Sequence, residues 1–486
     1  MDPAKGSAWT EAQAERHLQS LELFGMRFGL DRMRRMTTAL GSPQRAYEAI
    51  HVLGTNGKTS TTRMIAAILQ RHGLRTGAYT SPHLISYCER LQIEERDLRP
   101  HELAGAVAHA AWAAERVNRT LAEDDHVTQF ELITAAGLWE MARREIQVAV
   151  VEAGLGGRYD ATSVIEAPVS VLTNVGLEHT RWLGPTVTDI AEEKLAVVHP
   201  VGTLVVGSWL AVEARLVAER VAAERGARIV TVAEPTLESQ SRSRLAAAGS
   251  FQRRNFALAK AAAEVHLQSA GVALDEQAVR AAEQTIVVAG RLQTLAGDPL
   301  TIIDGAHNPD AVAALVQALP ETVGSRRIGL VLGVLEDKDA ASMLAALLPR
   351  CERAWFTAPP SPRALSPAAL ESLARQLSFE NAVCETQPLR ALAAARRWAA
   401  ANEEGAGEGR AVLATGSIYL VGELLRGYRD AGFDTGREGR RRTGPDGAGP
   451  DGAGERPGPS GSPAVGHPGG QSDLAGLDRR QGVRRH

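Results

Sequence analysis

A strand that runs straight into a glycine-rich turn and then a helix leaves a chain few architectures to adopt. Here the apolar run Ala49–Leu53 passes into Gly54-Thr55-Asn56-Gly57-Lys58-Thr59-Ser60, and the helical stretch Thr59–Arg71 starts inside that turn. A helix that follows a strand this closely carries the chain back over the sheet, so the next strand can lie parallel to the first. The alternation repeats. Val148–Glu152, Val169–Thr173 and Thr203–Val206 read as further strands. After Arg291 the pattern restarts with Leu300–Asp304, Ile328–Gly333, Ala354–Thr357 and Ala411–Thr415, between helices beginning at Pro309, Ala340, Ser366, Leu389 and Ser417. The expected fold class is α/β: a P-loop domain with a mostly parallel sheet over 1–287, and a smaller Rossmann-like α/β domain over 288–434. A tail, 435–486, follows them.

Composition supports two full-sized cores, since 44% of the 486 residues are hydrophobic. The final 51 residues differ. They hold 14 Gly and 6 Pro, repeat PDGAG at 445–449 and 450–454, and set nine Arg against six acids. So little apolar surface cannot offset the entropy of ordering, and the tail is expected to be disordered. The whole chain carries 54 Lys and Arg against 57 Asp and Glu. That balance lacks the basic excess of a general nucleic-acid binder. Three cysteines, Cys88, Cys351 and Cys384, neither pair off nor form CxxC, which excludes a disulfide scaffold. The polar N-terminus has no signal-peptide core, and no uncharged apolar stretch of 18 residues occurs. A cytoplasmic, monomeric protein that engages neither membrane nor nucleic acid is expected.

The loop Gly54–Ser60 has the chemistry of a phosphate cradle. Its glycines let main-chain N–H groups face an anion, the helix N-terminus adds partial positive charge, and Lys58 adds a full one. Thr59 or Ser60 offers a hydroxyl to a phosphate-bound Mg²⁺. The loop is shorter than the common GxxxxGK[ST] form, and alone it leaves GTPase, kinase, motor and ligase open. Glu152 closes a strand and His179 lies a few residues past another strand end, so both face the ligand edge of the sheet. Singly, His179 is an ordinary loop histidine and Glu152 a helix-dipole partner. Together beside a polyphosphate they are candidate ligands for divalent ions. Lys194 reads from composition as a solvated helix charge.

Further motifs stand in a fixed order: Phe28-Gly29-Leu30-Asp31, the GTNGKTS loop, Thr80-Ser81-Pro82-His83-Leu84, Thr128-Gln129-Phe130-Glu131 and EAGLGGRYDAT at 152–162. They continue with Gly176-Leu-Glu-His-Thr180, Gln252-Arg-Arg-Asn255, Gly290-Arg291-Leu292, Asp304-Gly-Ala-His307-Asn-Pro309, the GVLEDKD run at 333–339, Pro362-Arg-Ala-Leu365 and Gly416-Ser417. From about Leu21 to Leu425 the chain resembles the folylpolyglutamate synthase/dihydrofolate synthase family, a branch of the Mur-ligase superfamily.

The resemblance implies a Mur-ligase-like ATPase domain and a ligase that uses ATP as co-substrate to add L-glutamate to dihydropteroate or a reduced folate. It assigns ATP contacts to Asn56, Gly57, Lys58, Thr59, Ser60, Asn255, Arg291 and Asp304. It implies two Mg²⁺ sites, one at Ser81 and Glu152 and one at His179, the second organised by a carbamylated Lys194. Lys58, Lys194, Asp304 and His307 are the implied catalytic set. Pteroate contacts fall on Phe28, Gly29, Leu30, Asp31, Thr128, Gln129, Phe130, Glu131, Tyr159, Asp160 and Ala161. Four positions depart from the family pattern: Thr59 stands for a glycine, Glu178 for Asp, Ser163 for Asn and Ala289 for Pro. Two alternatives stay open, a Mur-type ligase acting on a UDP-muramyl precursor and a non-catalytic ATP-binding switch.

Overall fold

The computed structural model describes residues 9–21, 29–236, 245–401 and 409–432. Phe28 and the Gly/Pro/Arg-rich tail lie outside the described residues. Eight strands form the first sheet: β1 (Glu48–Leu53), β2 (Thr76–Tyr79), β3 (Leu91–Ile93), β4 (Arg96–Asp97), β5 (Val148–Glu152), β6 (Val169–Leu172), β7 (Thr203–Gly207) and β8 (Arg228–Val232). Their order is β4-β3-β2-β5-β1-β6-β7-β8. Neighbours from β2 through to β8 pair in parallel, and the short β3–β4 hairpin adds an antiparallel edge. Five of the six β1 residues are buried, because helices cover both faces of the sheet. The chain leaves β1 toward β2 on one side and later returns to β6 on the other. A crevice therefore opens at the C-terminal end of β1, between β5 and β6.

Helix Lys58–Arg71 packs on one face through Met64, Ile65, Ile68 and Leu69, all fully buried against helix Ser250–Ser269. Each such side chain contributes about 1.5–3 kcal/mol by leaving water. The opposite face carries helices Pro100–Asn118 and Gln129–Arg143. Ala104, Ala106, Ala110, Ala113 and Ala114 make the first of these thin enough to lie close to its neighbours.

The second sheet contains β9 (Gln293–Leu295), β10 (Thr301–Ile303), β11 (Arg327–Leu332), β12 (Cys351–Phe356), β13 (Ala382–Cys384) and β14 (Arg410–Thr415), ordered β13-β12-β11-β14-β10-β9. Every pair is parallel except β9–β10. The core over the first sheet runs on to Ile286 and Val288, whereas Leu292 belongs to the core of the second. The predicted strands all occur, with ends shifted by a few residues. Of those absent from the sequence reading (β2, β3, β4, β8, β9 and β13), β3, β4, β9 and β13 run only two or three residues, and β8 and β13 are only partly buried. None of the described helices is long and apolar enough to cross a membrane.

Candidate active site

The phosphate loop is fastened to the end of β6. Gly54 has φ +142°, and a Cβ there would lie 1.9 Å from Thr173 Oγ1. That close approach lets Thr55 N–H donate to the Asn174 carbonyl at 3.0 Å. Asn56 N–H donates to Asn174 Oδ1 at 2.8 Å, and Thr173 Oγ1 donates to the Asn56 carbonyl at 2.6 Å. Gly57, with φ +83°, caps the helix, and a Cβ there would meet Asn255 Oδ1 at 2.5 Å. Asn255 is thus packed directly on the turn. No side chain caps helix Lys58–Arg71, so its first N–H groups are of the kind that hold an anion. Lys58 Nζ reaches over the loop to the Thr55 carbonyl at 3.1 Å. Ser60 is buried beneath it.

Glu152 is 2% exposed at the end of β5. Its Oε2 accepts from Thr59 Oγ1 at 2.8 Å and from Ser81 N–H at 3.1 Å. Burial raises its pKa above the usual carboxylate range, against the pull of Lys58, these two donors and Arg291. Ser81 therefore meets Glu152 through its main chain. The Thr59 hydroxyl, absent where the family has glycine, is spent on the same carboxylate.

Lys194 is buried rather than solvated, and its Nζ donates to the Gly54 carbonyl at 2.9 Å. Burial, then the charge of Lys58, lowers its pKa to about 7. The composition-based reading fails because helix Val187–Leu195 turns this residue inward, onto the back of the phosphate loop. His179 sits in the left-handed region at φ +53°. Although 40% of its side chain meets solvent, desolvation lowers its pKa to about 4; Glu178 opposes this, and the charges of Lys338, Lys58 and Lys194 reinforce it. Among the described residues no three His, Cys, Asp or Glu side chains converge into a cation cage. Ser81 and Glu152 form one group, and His179, Lys194 and Lys58 interact as another.

Loops of the second sheet complete the crevice. Asn56 and Asn308 exchange side-chain hydrogen bonds of 3.3 and 3.0 Å, while Asn308 also caps helix Pro309–Val323. His307 Nδ1 faces the Gly305 carbonyl at 2.9 Å, and its Nε2 lies 3.3 Å from Glu178 Oε1. Lys338 Nζ donates to the same oxygen at 3.1 Å. Burial opposes ionisation of Glu178, but His307, Lys338 and His179 hold its carboxyl well below the usual range. Asp304 accepts from Leu292 N–H and Ala306 N–H, both at 2.7 Å, so its two oxygens staple the loops on either side. Burial raises its pKa against Arg291 and those donors. Arg291 runs along Gly305, and its charge acts on both Asp304 and Glu152.

The pteroate candidates divide. Thr128 and Glu131 form a capping box on helix Gln129–Arg143, and Glu131 also accepts from Arg32 at 3.0 and 3.1 Å. Gln129 donates its side-chain amide to the Leu18 carbonyl at 2.7 Å. Phe130 packs on Gly154, where a Cβ would lie 2.4 Å from its ring. Asp160 accepts from Leu155 N–H and Thr162 N–H. Ala161 is buried and Tyr159 is 48% exposed beside it. Gly29 and Leu30 lead into helix Asp31–Ala39, where Asp31 pairs with Arg35 on the surface. Asn174, Asn308 and Lys338 carry the site's connections, and the sequence alone points to no role for them. For Asn308 and Lys338 the available signal was their place inside the DGAHNP and DKD motifs.

Residues 52–271 match the Mur ligase middle domain, and residues 290–418 the Mur ligase glutamate ligase domain. The folylpolyglutamate synthase of Lacticaseibacillus casei is 37% identical over 69% of this chain and 82% of its own. The Mycobacterium tuberculosis folylpolyglutamate synthase complexed with ADP superposes with a TM-score of 0.79 at 30% identity, covering 86% of this chain and 98% of that one. A bifunctional folylpolyglutamate synthase/dihydrofolate synthase from Yersinia pestis, complexed with AMPPNP and Mn ion, gives 0.72 at 27% identity over 86% and 98%. With its phosphate loop, strand-end glutamate and DGAHNP motif arranged around one crevice, the chain belongs to the folylpolyglutamate synthase/dihydrofolate synthase family of Mur ligases.

Proposed function

We propose that this chain is an ATP-dependent ligase that joins L-glutamate to the carboxylate of dihydropteroate and of reduced folates, acting as a cytoplasmic monomer. Residues 1–287 supply the ATPase and acceptor site, and residues 288–434 the glutamate-ligating lobe. One observation supports the reading: the phosphate loop is hydrogen-bonded through Asn56 to Asn308 of the second lobe, so loops of both lobes line a single crevice that can take a nucleotide and two acids.

The chemistry follows from the poor reactivity of a carboxylate toward amines. An acceptor carboxylate oxygen attacks the γ-phosphorus, the bond to the β-phosphate oxygen breaks, and ADP leaves an acyl phosphate. The glutamate amine, having lost a proton, then attacks the acyl carbon, and the resulting tetrahedral species expels phosphate. Lys58 and the helix N-terminus offset the charge gathered on the phosphoryl oxygens. Arg291 extends that positive field from the second lobe, and Asp304 holds the Arg291 loop in place.

Glu152 fits a divalent cation, being a buried carboxylate with the Thr59 hydroxyl oxygen beside it. Ser81 completes that group, and His179 with Lys194 supplies a second; bound Mg²⁺ there adds charge neutralisation of the phosphates. An amine whose pKa lies near 7 is substantially neutral at physiological pH. The Lys194 nitrogen can then add CO₂ and release one proton, which replaces a cation with a carboxylate ligand.

Incorporation of radiolabelled glutamate, with dihydropteroate and tetrahydrofolate as separate acceptors, tests the reading. Amide product and ADP are expected with both, and neither with a UDP-muramyl acceptor. ATP binding without any amide product overturns it.

A further inference from the structure

Arg90 is 8% exposed at the end of the loop that follows the TSPHL motif. Its Nε donates to His83 Nδ1 at 3.1 Å, its guanidinium carbon stands 5.2 Å from the centre of the Tyr87 ring, and it faces the Tyr79 hydroxyl. All three neighbours are uncharged. Because His83 Nδ1 accepts the Arg90 Nε–H, that nitrogen carries no proton and the imidazole is neutral. Adjacent Glu89 directs its oxygens to the N–H groups of Leu84, Ile85 and Ser86. Among the described residues no carboxylate forms an ion pair with Arg90. A guanidinium removed from water with no carboxylate in direct contact is costly, and Glu89 and Asp160 act on it only from beyond ion-pair distance, so a binding site is its natural explanation.

Its surroundings identify the ligand. Tyr79 hydrogen-bonds Thr134 at 2.8 Å and lies in the field of Asp160. Tyr87 reaches Gln129. Arg90 therefore borders the same patch as the pteroate candidates Gln129 and Asp160. Its carbonyl accepts from Thr80 N–H, one residue before the Ser81 N–H that binds Glu152. The reacting carboxylate has to meet the phosphate loop and Glu152. A cation set beside that position suits a second carboxylate on the same acceptor. Dihydropteroate has one carboxylate. A folate ending in glutamate has two, of which the γ reacts and the α does not.

We propose that Arg90 is the counter-ion for the α-carboxylate of a folate acceptor's terminal glutamate, and so separates chain extension from the first ligation. The inference rests on the ligase reading above. Removing one partner of a buried charge pair costs 2 kcal/mol or more, a factor of about 30 or greater. Arg90→Gln, which keeps a donor for His83, should raise KM for tetrahydrofolate by at least about 30-fold. KM for dihydropteroate and for ATP should change less than about 3-fold, with kcat on dihydropteroate retained. Arg90→Lys should give a smaller, equally folate-selective rise. In the unmutated enzyme, a tetrahydropteroyl acceptor carrying γ-aminobutyrate in place of glutamate should show the same weakening, and Arg90→Gln should discriminate no further against it. An equal rise for both acceptors, no rise for either, or full use of the γ-aminobutyrate acceptor by the unmutated enzyme overturns the proposal. If the unmutated enzyme ligates neither acceptor, it is the ligase reading that falls. Should Arg90→Gln fail to fold, Arg90→Lys and the γ-aminobutyrate comparison decide.

Discussion

Glu178 joins the two lobes, and its contribution can be worked out from the geometry. Its carboxylate lies 3.1 Å from Lys338 Nζ and 3.3 Å from His307 Nε2, and both the Glu178 and Lys338 side chains are only 11% exposed. At an effective dielectric near 20, a unit pair at that distance attracts by about 5 kcal/mol, and desolvation of the two groups takes back more than half. A net coupling of about 2 kcal/mol remains. Asp337, 3.7 Å from Lys338, gives partial compensation when Glu178 is lost. The perturbation is a double-mutant cycle of Glu178→Gln and Lys338→Met. Hydrogen exchange in peptides spanning 176–183 and 334–340 provides the assay, because it reads local opening without requiring the two lobes to unfold together. Losing 2 kcal/mol should speed exchange there about 30-fold in either single variant, with little further change in the double. Glu178→Asp withdraws the carboxylate by about 1.5 Å, one C–C bond, and should behave nearly as Glu178→Gln does. Single-variant effects that add within about 0.5 kcal/mol would show that the pair is not coupled, and the reasoning would be refuted.

Three more outcomes are expected. Lys58→Ala should lower glutamate incorporation by at least about 10²–10³-fold while leaving thermal unfolding close to that of the unmutated chain, since the Lys58 side chain donates one hydrogen bond, to Thr55; near-normal turnover would remove Lys58 from the chemistry. Lys194 should gain the mass of one CO₂ under native conditions in bicarbonate, and Lys194→Ala should lose turnover that small carboxylates partly restore; full activity without rescue would exclude the carbamate. His51 is fully buried beside Thr162, and burial lowers its pKa to about 4. The unfolded chain therefore binds this proton first as pH falls. His51 alone should contribute a loss of about 3 kcal/mol between about pH 6.5 and pH 4, on top of the losses from His83 and His179, whose pKa values are lowered in the same sense. His51→Gln should flatten that decline in melting curves, and an unchanged slope would contradict the assignment.

What could be read from the sequence was whatever depends on neighbours along the chain. The order strand, glycine turn, lysine, helix is local, and the structure forms that strand, turn and helix at Glu48–Arg71. Locality also marks a missed reading. Thr128-x-x-Glu131 is a capping-box pattern, and Glu131 does close that box while binding Arg32. A ligand role for Glu131 now has to compete with two structural ones. Lys194 failed from sequence for the opposite reason: its partner Gly54 lies 140 positions away, so no window around the helix could reveal that the amine is buried. The same holds for Lys338 with Glu178, 160 apart, and for Asn56 with Asn308, 252 apart. Those contacts exist because the strand-end loops of two sheets meet, and their geometry follows from how the lobes dock. An extra methylene at Glu178 looks conservative in one dimension. Across the crevice it is about the distance that decides whether Lys338 and His307 are bridged or separate.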